Sequence, residues 1–199
     1  MILYKYGSRS VVGGYALESG LQTALKYYFP RHVARSIGYG IRGSRCKQSW
    51  LAGFVFRQAG IPSPAPLVLK EISSLGGIGI ARSFLATEKA EGISLADFVR
   101  KHEKDLPRLR NVSRQLEDAF SRMARYRIVH GDMKASNLLV NENSGDRISF
   151  IDLDASAFLL SDENWRKGFA KDQRRFLKNW EHSPVISNIF AGAFGPGGS

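Results

Sequence analysis

Apolar and polar positions follow different periods along this chain, and the changes of period predict where strands give way to helices. Ile2-Leu3-Tyr4-Lys5-Tyr6 is a short apolar and aromatic run ending at Gly7, the pattern of a strand. Leu17, Leu21, Leu25 and Tyr28 recur at helical spacing ahead of Pro30 and predict a helix over 15–29. A second helix is predicted over 45–59, with Trp50, Phe54 and either Leu51 or Phe56 on its apolar stripe. It ends at Gly60 and the extended run Ile61-Pro62-Ser63-Pro64-Ala65-Pro66. Residues 67–71 and 80–88 read as strands around a turn at Ser73-Ser74-Leu75-Gly76-Gly77.

The second half is more strongly patterned. Ser94 and Asp97 have the spacing of a capping box, with Asp standing in for Glu. Leu106, Leu109, Val112, Leu116, Phe120 and Met123 then carry a long amphipathic helix to about Tyr126. Residues 138–140 and 147–151 make a hairpin closed by the polar connection Asn141-Glu142-Asn143-Ser144-Gly145-Asp146. A final helix is predicted over 162–180, with Trp165, Phe169, Phe176, Leu177 and Trp180 apolar and Asp172, Arg174 and Arg175 on the polar face. The glycine-rich end AGAFGPGGS predicts a flexible tail from 185 to 199.

A chain of 199 residues with 43% hydrophobic and 24% charged residues suits a globular protein, either one domain or two small lobes closing on a cleft. Charge narrows the picture further. With 29 Lys and Arg against 18 Asp and Glu, the net charge is +11, which attracts anions: a nucleotide, a nucleic acid or a phosphorylated lipid surface. Arg31, His32, Arg35, Arg42, Arg45 and Lys47 concentrate that charge and either face an anionic partner or are simply solvated. Cys46 is the only cysteine, so no intrachain disulfide forms, and no CxxC spacing exists. The start MILYKYGSRS lacks the apolar core of a signal peptide and no stretch approaches the roughly 18 apolar residues of a membrane span; a cytoplasmic location is expected.

The candidate chemistry lies in Ile128-Val129-His130-Gly131-Asp132-Met133-Lys134-Ala135-Ser136-Asn137, followed by Ile151-Asp152-Leu153-Asp154. In-line phosphoryl transfer needs an acceptor for the attacking hydroxyl's proton, a cation beside the transferring group and oxygen ligands for magnesium. Asp132, Lys134, and the pair Asn137 and Asp152 can fill those roles in that order, and a hairpin between Asn137 and Asp152 brings the two ligands together. Asp154 is either a further ligand or a cap, and His130 reads as a structural histidine bonding the loop backbone. Gly38-Tyr39-Gly40-Ile41-Arg42-Gly43 lacks the lysine of a phosphate-binding P-loop.

The spacing His-x-Asp-x-x-x-x-Asn followed by an Asp after a strand resembles the catalytic loop and metal-binding segment of the protein-kinase-like superfamily. Within it, the chain is similar to the lipopolysaccharide-core kinases that phosphorylate Kdo or heptose. The residues that carry this are Leu3-Tyr4-Lys5-Tyr6, Trp50, Arg57-Gln58-Ala59-Gly60-Ile61-Pro62-Ser63-Pro64-Ala65-Pro66, His130 to Asn137, Ile151-Asp152-Leu153-Asp154 and Asp172-Gln173-Arg174-Arg175-Phe176-Leu177.

The resemblance implies an α+β, protein-kinase-like two-lobed fold with a truncated N-lobe over 1–90, lacking the Gly-rich hairpin, and a minimal helical C-lobe over 91–184. It implies ATP and Mg2+, with Asp132 and Lys134 catalytic, Asn137 and Asp152 on the metal, and Lys5, Glu88 and Ala90 at the nucleotide, Glu88 and Ala90 falling at the hinge. The implied acceptor is an anionic glycolipid or sugar at the inner face of the cytoplasmic membrane, with peripheral membrane contact and no nucleic-acid partner. Two departures stand out. The helix over 45–59 has no glutamate to pair with the strand lysine, leaving Glu18 or Glu71 as substitutes. Gly131 also replaces the arginine that reads a phosphorylated loop, and no Ala-Pro-Glu motif comes after it. A small protein kinase, an aminoglycoside-type kinase and a non-catalytic pseudokinase are the alternatives.

Overall fold

A computed structural model describes residues 2–6, 10–29, 44–74 and 79–194, with side chains at 10–29, 44–73 and 82–194. Arg31, His32, Arg35 and Arg42, the glycines at 38–43 and the turn at 75–78 lie outside the described residues. The chain divides into two units, residues 1–54 with 64–89 and residues 55–63 with 90–199.

The first unit is a five-stranded antiparallel sheet of β1 (Ile2–Tyr6), β2 (Ser10–Ala16), β3 (Gln22–Tyr28), β4 (Pro66–Ser74) and β5 (Gly79–Glu88), in the order β1-β2-β3-β5-β4. The helix predicted over 15–29 is therefore strand, and the reason is local. Gly20 takes φ +84° and closes a turn in which the Leu17 amide donates to the Leu21 carbonyl at 2.9 Å. This places Leu17 and Leu21 in solvent rather than on a helical stripe. Thr23, Tyr27 and Tyr28 then favour the pleated backbone.

Helix α1 (Arg45–Gln58) comes after β3 in the next described segment. Ser44 caps it: its carbonyl accepts from the Gln48 amide and its hydroxyl from the Lys47 amide at 2.9 Å, while that hydroxyl donates to Glu71. Cys46 enters the core with Tyr28 and Leu85, against Trp50 and Leu69. Of the predicted stripe, Phe56 is buried, whereas Leu51 and Phe54 face solvent. Burial pushes the Cys46 thiol up to about 11, with Lys26 and Glu71 acting on it in opposite senses.

The second unit carries β6 (Ile93–Ser94), α2 (Leu95–Lys101), α3 (Leu106–Arg125), β7 (Leu138–Asn141), β8 (Arg147–Phe150), α4 (Asp162–Leu177) and α5 (Pro184–Ala191). The continuous helix expected up to Tyr126 breaks into α2 and α3. Asp105 caps α3 by accepting from the Arg108 amide at 3.2 Å, and Pro107 in the first turn has no amide hydrogen to carry a helix through. β6, β7 and β8 form a three-stranded antiparallel sheet in which Leu138 faces Phe150 and Asn141 faces Arg147.

Phenylalanine rings fill this unit's core. Phe120 stacks on Phe194 at 4.2 Å between centroids and meets Phe176 at 5.9 Å and Phe150 at 6.3 Å edge-on. The tail expected to be flexible from 185 includes α5 and a 3-10 turn at Gly192–Phe194, with Ile186, Phe190, Ala193 and Phe194 buried. Phe190 and Phe194 lie four residues apart on one face, a pair that the glycine-rich composition around them hid.

Phe190→Ala is expected to cost about 3–5 kcal/mol of this unit's stability, and Val185→Ala, at an exposed position on the same helix, within about 0.5 kcal/mol. Urea unfolding monitored by tryptophan fluorescence measures both.

Candidate functional site

The loop 128–137 leaves a β-bridge at Val129, paired with Ala157, and ends in a 3-10 turn at Ala135–Asn137 that leads into β7. Gly131 has φ +79°, and a Cβ there would lie 2.2 Å from the Ala155 carbonyl oxygen. Only glycine fits this close approach, which gives the missing arginine a steric explanation.

Three amides of the loop point at one carboxylate. Asp172, on α4 and 1% exposed, accepts from the amides of His130 at 2.8 Å and Gly131 at 2.9 Å through Oδ2, and from Met133 at 3.4 Å through Oδ1. The sequence pattern assigns Asp172 to a solvated polar face; in the structure it is the anchor of the loop.

His130 is fully buried and does what a structural histidine does. Its Nε2 donates to the Ile151 carbonyl at 3.0 Å and its Nδ1 accepts from the Asp132 amide at 3.3 Å, an arrangement that requires the neutral ring. Burial pushes its pKa down, against the pull of Asp172, the Ile151 carbonyl, Asp152 and Asp132.

Asp132 stands at the open side of the loop, its side chain 24% exposed. Lys134 Nζ lies 3.2 Å from Oδ2 and Arg175 Nη2 lies 2.5 Å from Oδ1. Asn137 is 5% exposed, and its Nδ2 donates to the Asp132 carbonyl at 2.9 Å and to Oδ2 at 3.2 Å. Those bonds occupy the amide nitrogen and leave Oδ1 as the group able to take a cation. The Asn137 carbonyl accepts from the Ile151 amide at 2.9 Å, so Asp152 comes one residue after a direct link to Asn137. Asp152 has φ 62° and ψ 53°, a left-handed backbone that costs about 1–3 kcal/mol outside glycine and tends to be retained at working sites.

An amide oxygen and a carboxylate from Asn137 and Asp152 suit Mg2+, which takes one or two protein oxygens and completes its shell from water and phosphate. Among the described residues no group of three or more His, Cys, Asp or Glu side chains is placed to hold a metal alone.

The other predicted residues belong to β1, to β5 and to the segment after β5. Lys5 is on edge strand β1, paired with Val12, and its side chain lies outside the described residues. Its assignment depended on a helix soon after it in the chain, whereas β2 and β3 come next. On the last described strand before α1 lies Lys26, held between Val12 of β2 and Leu85 of β5 and 5.0 Å from the centre of the Tyr28 ring. β1 and β2 form a hairpin ahead of that strand, where the sequence pattern predicts none. Glu18 is exposed; Glu71 accepts from Ser44 at the start of α1. The Glu88 amide donates to the Ala65 carbonyl at 2.9 Å and its carboxylate accepts from the Ala65 amide at 3.3 Å; Ala90 is half-buried in the second unit.

Sequence reasoning missed Arg175 as a site residue and Asp172 as the loop anchor. Their spacing of three along an amphipathic helix, ahead of Phe176, was the available signal.

Asp172→Ala leaves three amides without their acceptor and should lower stability by roughly 3 kcal/mol, read by thermal unfolding. For His130, the lowered pKa means the unfolded chain takes up a proton that the folded chain refuses. Stability is therefore full above about pH 6.5 and falls as the pH drops below it, by up to about 1.4 kcal/mol per unit. Urea midpoints at pH 7.5, 6.5 and 5.5 should show this fall in the native chain and a shallower one in His130→Gln.

A sequence model of the lipopolysaccharide kinase (Kdo/WaaP) family matches residues 22–185. No curated protein matches the sequence. Among solved structures, a WaaP in complex with acyl carrier protein superposes with a TM-score of 0.66 at 18% identity, over 97% of this chain and 77% of that one, which shows a common fold. The fold, the loop gripped by Asp172 and a family match across most of the length converge, and the chain belongs to the lipopolysaccharide kinase (Kdo/WaaP) family, as a phosphotransferase of kinase type.

Proposed function

We propose that the chain moves the γ-phosphoryl group of ATP to a sugar hydroxyl of the lipopolysaccharide core, on Kdo or heptose. The observation that carries this is the Asn137 side-chain amide, whose Nδ2 donates to both the backbone carbonyl and the carboxylate of Asp132, while the Asn137 backbone carbonyl accepts from the Ile151 amide. These bonds tie Asp132 to Asn137 and Asn137 to the residue before Asp152, which supports reading the three as base and metal ligands held in a constant relation, as phosphoryl transfer demands.

In the reaction, the acceptor oxygen bonds to the γ-phosphorus as the bond to the β,γ-bridging oxygen breaks, ADP departs, and the hydroxyl proton passes to Asp132. Lys134, beside that carboxylate, offsets charge on the transferring group. Mg2+, held by Asn137 and Asp152, supplies neutralisation of phosphate charge when bound. A base of ordinary carboxylate strength suffices because proton transfer can come after departure of a loose, metaphosphate-like group.

For the nucleotide phosphates the candidates are Lys5 and, on the last described strand before α1, Lys26; the backbone near Glu88 and Ala90 is assigned to the adenine. The +11 charge fits an anionic glycolipid and peripheral contact with an anionic inner membrane face from the cytoplasm. No helix of the described residues is long and apolar enough to cross a membrane.

Asp132→Ala should lower kcat by about 10²- to 10⁴-fold on purified core sugar, with nucleotide binding and thermal midpoint close to the native values. Turnover at the native rate would remove Asp132 from the mechanism. Labelled ATP offered with Kdo-lipid, peptides and aminoglycosides should mark the Kdo-lipid alone.

A further inference from the structure

Asp132 carries more positive charge around it than its own neutralisation requires. Lys134 balances it through Oδ2, yet Arg175 lies at 2.5 Å from Oδ1, with 47% of its side chain still exposed. Among the described residues Asp132 is the only ion-pair partner of Arg175, so one carboxylate stands between two cations beside the attacking position. A guanidinium has five donors in a planar fork, so an edge turned to Asp132 leaves another for a second oxyanion.

The placement of Arg175 is built in from two sides. It lies three residues after Asp172, so one turn of α4 presents the buried carboxylate that holds the loop's amides and the guanidinium that meets the loop's carboxylate. Phe176, fully buried beside it, fixes the helix against the core. The same stripe carries Lys171, Arg174 and Lys178, all at least partly exposed and, among the described residues, without an ion-pair partner. Positive potential therefore continues along α4 away from the base.

We propose that Arg175 is a specificity-determining residue that bridges Asp132 and an anionic substituent, carboxylate or phosphate, of the acceptor saccharide. Its fork holds that oxyanion with one edge and the base with the other, and so delivers the neighbouring hydroxyl to Asp132. This rests on the reading of Asp132 as base. It goes beyond that reading in naming the group that selects an acidic acceptor. Lysine, a point charge without the planar fork, serves one oxyanion at a time.

The test pairs each acidic acceptor with its neutral form: Kdo free acid with Kdo methyl ester for the carboxylate, and a phosphorylated heptose with the same heptose lacking phosphate. The native enzyme should favour the acidic member of at least one pair by about ten- to a hundredfold in kcat/KM, and the favoured pair identifies the anion. Arg175→Ala and the closer-shaped Arg175→Gln should bring that ratio near one by raising KM for the acidic acceptor, leaving KM for ATP unchanged. Arg175→Lys should restore part of the ratio. Calorimetric titration of the acidic acceptor should show the same loss of affinity in folded variants without any turnover. The proposal is overturned if the native enzyme does not discriminate, or if the variants keep the native ratio or lose turnover equally on both members of the pair. A native enzyme inactive on every saccharide would instead strike at the sugar-kinase reading itself.

Discussion

Everything at the site depends on one buried carboxylate meeting three loop amides. A loop of this kind has no helix or sheet ladder to occupy its N–H groups, and amides buried without acceptors cost free energy that few loops could sustain. Asp172 removes that cost for His130, Gly131 and Met133 together, and in doing so selects one conformation of the loop. His130 extends the same lock inward through the Ile151 carbonyl, and the Ser156 hydroxyl closes it by donating to the His130 carbonyl at 3.2 Å. Asp132 is held by its backbone before any substrate arrives.

This division of labour separates what must be rigid from what must be reactive. The buried Asp172 and His130 bond the loop backbone, and the buried Asn137 gives its amide nitrogen to Asp132 while keeping Oδ1 available. Asp132, Lys134 and Arg175 keep a quarter to a half of their side chains exposed. Solvated ion pairs contribute little to stability, so the cations around Asp132 are poorly explained as structural supports and well explained as electrostatic equipment. The neutral His130 is consistent with the same logic: a charged ring there would lose its bond from the Asp132 amide and disturb the loop position it supports.

How much of this could be read from the residues depended on whether the cause was local. Asp132, Lys134, Asn137 and Asp152 were legible because the loop, the turn and the hairpin that join them are contiguous, and spacing alone states their order. A helix is expected soon after Lys5 because nothing in its neighbourhood marks the boundary between β2 and β3, the strands that come there instead. Leu17, Leu21, Leu25 and Tyr28 imitate a helical stripe, while the turn at Gly20 that splits them into two strands is a single-residue signal. Asp172 and Arg175 carry only a weak local mark: an acid and a base three apart on a helix usually mean a solvated face, and only a loop some forty residues earlier in the chain gives the one its amides and the other its carboxylate partner. Phe190 and Phe194 were obscured by the composition around them, since glycine-rich ends weigh toward mobility until the pocket for two rings is known.

The grip of α4 on both the amides and the carboxylate of the loop has a consequence for how this site can vary. A helix fixed by Asp172 presents, one turn along, a half-exposed guanidinium whose ion pair among the described residues is with Asp132. On the proposed roles, acceptor choice would be adjustable at position 175 while Asp132, Asn137 and Asp152 stay in place. A change at 172 has no such freedom, since it releases three amides at once. The two positions share a turn of helix and a partner loop, yet burial makes one of them invariant in function and leaves the other open to adaptation.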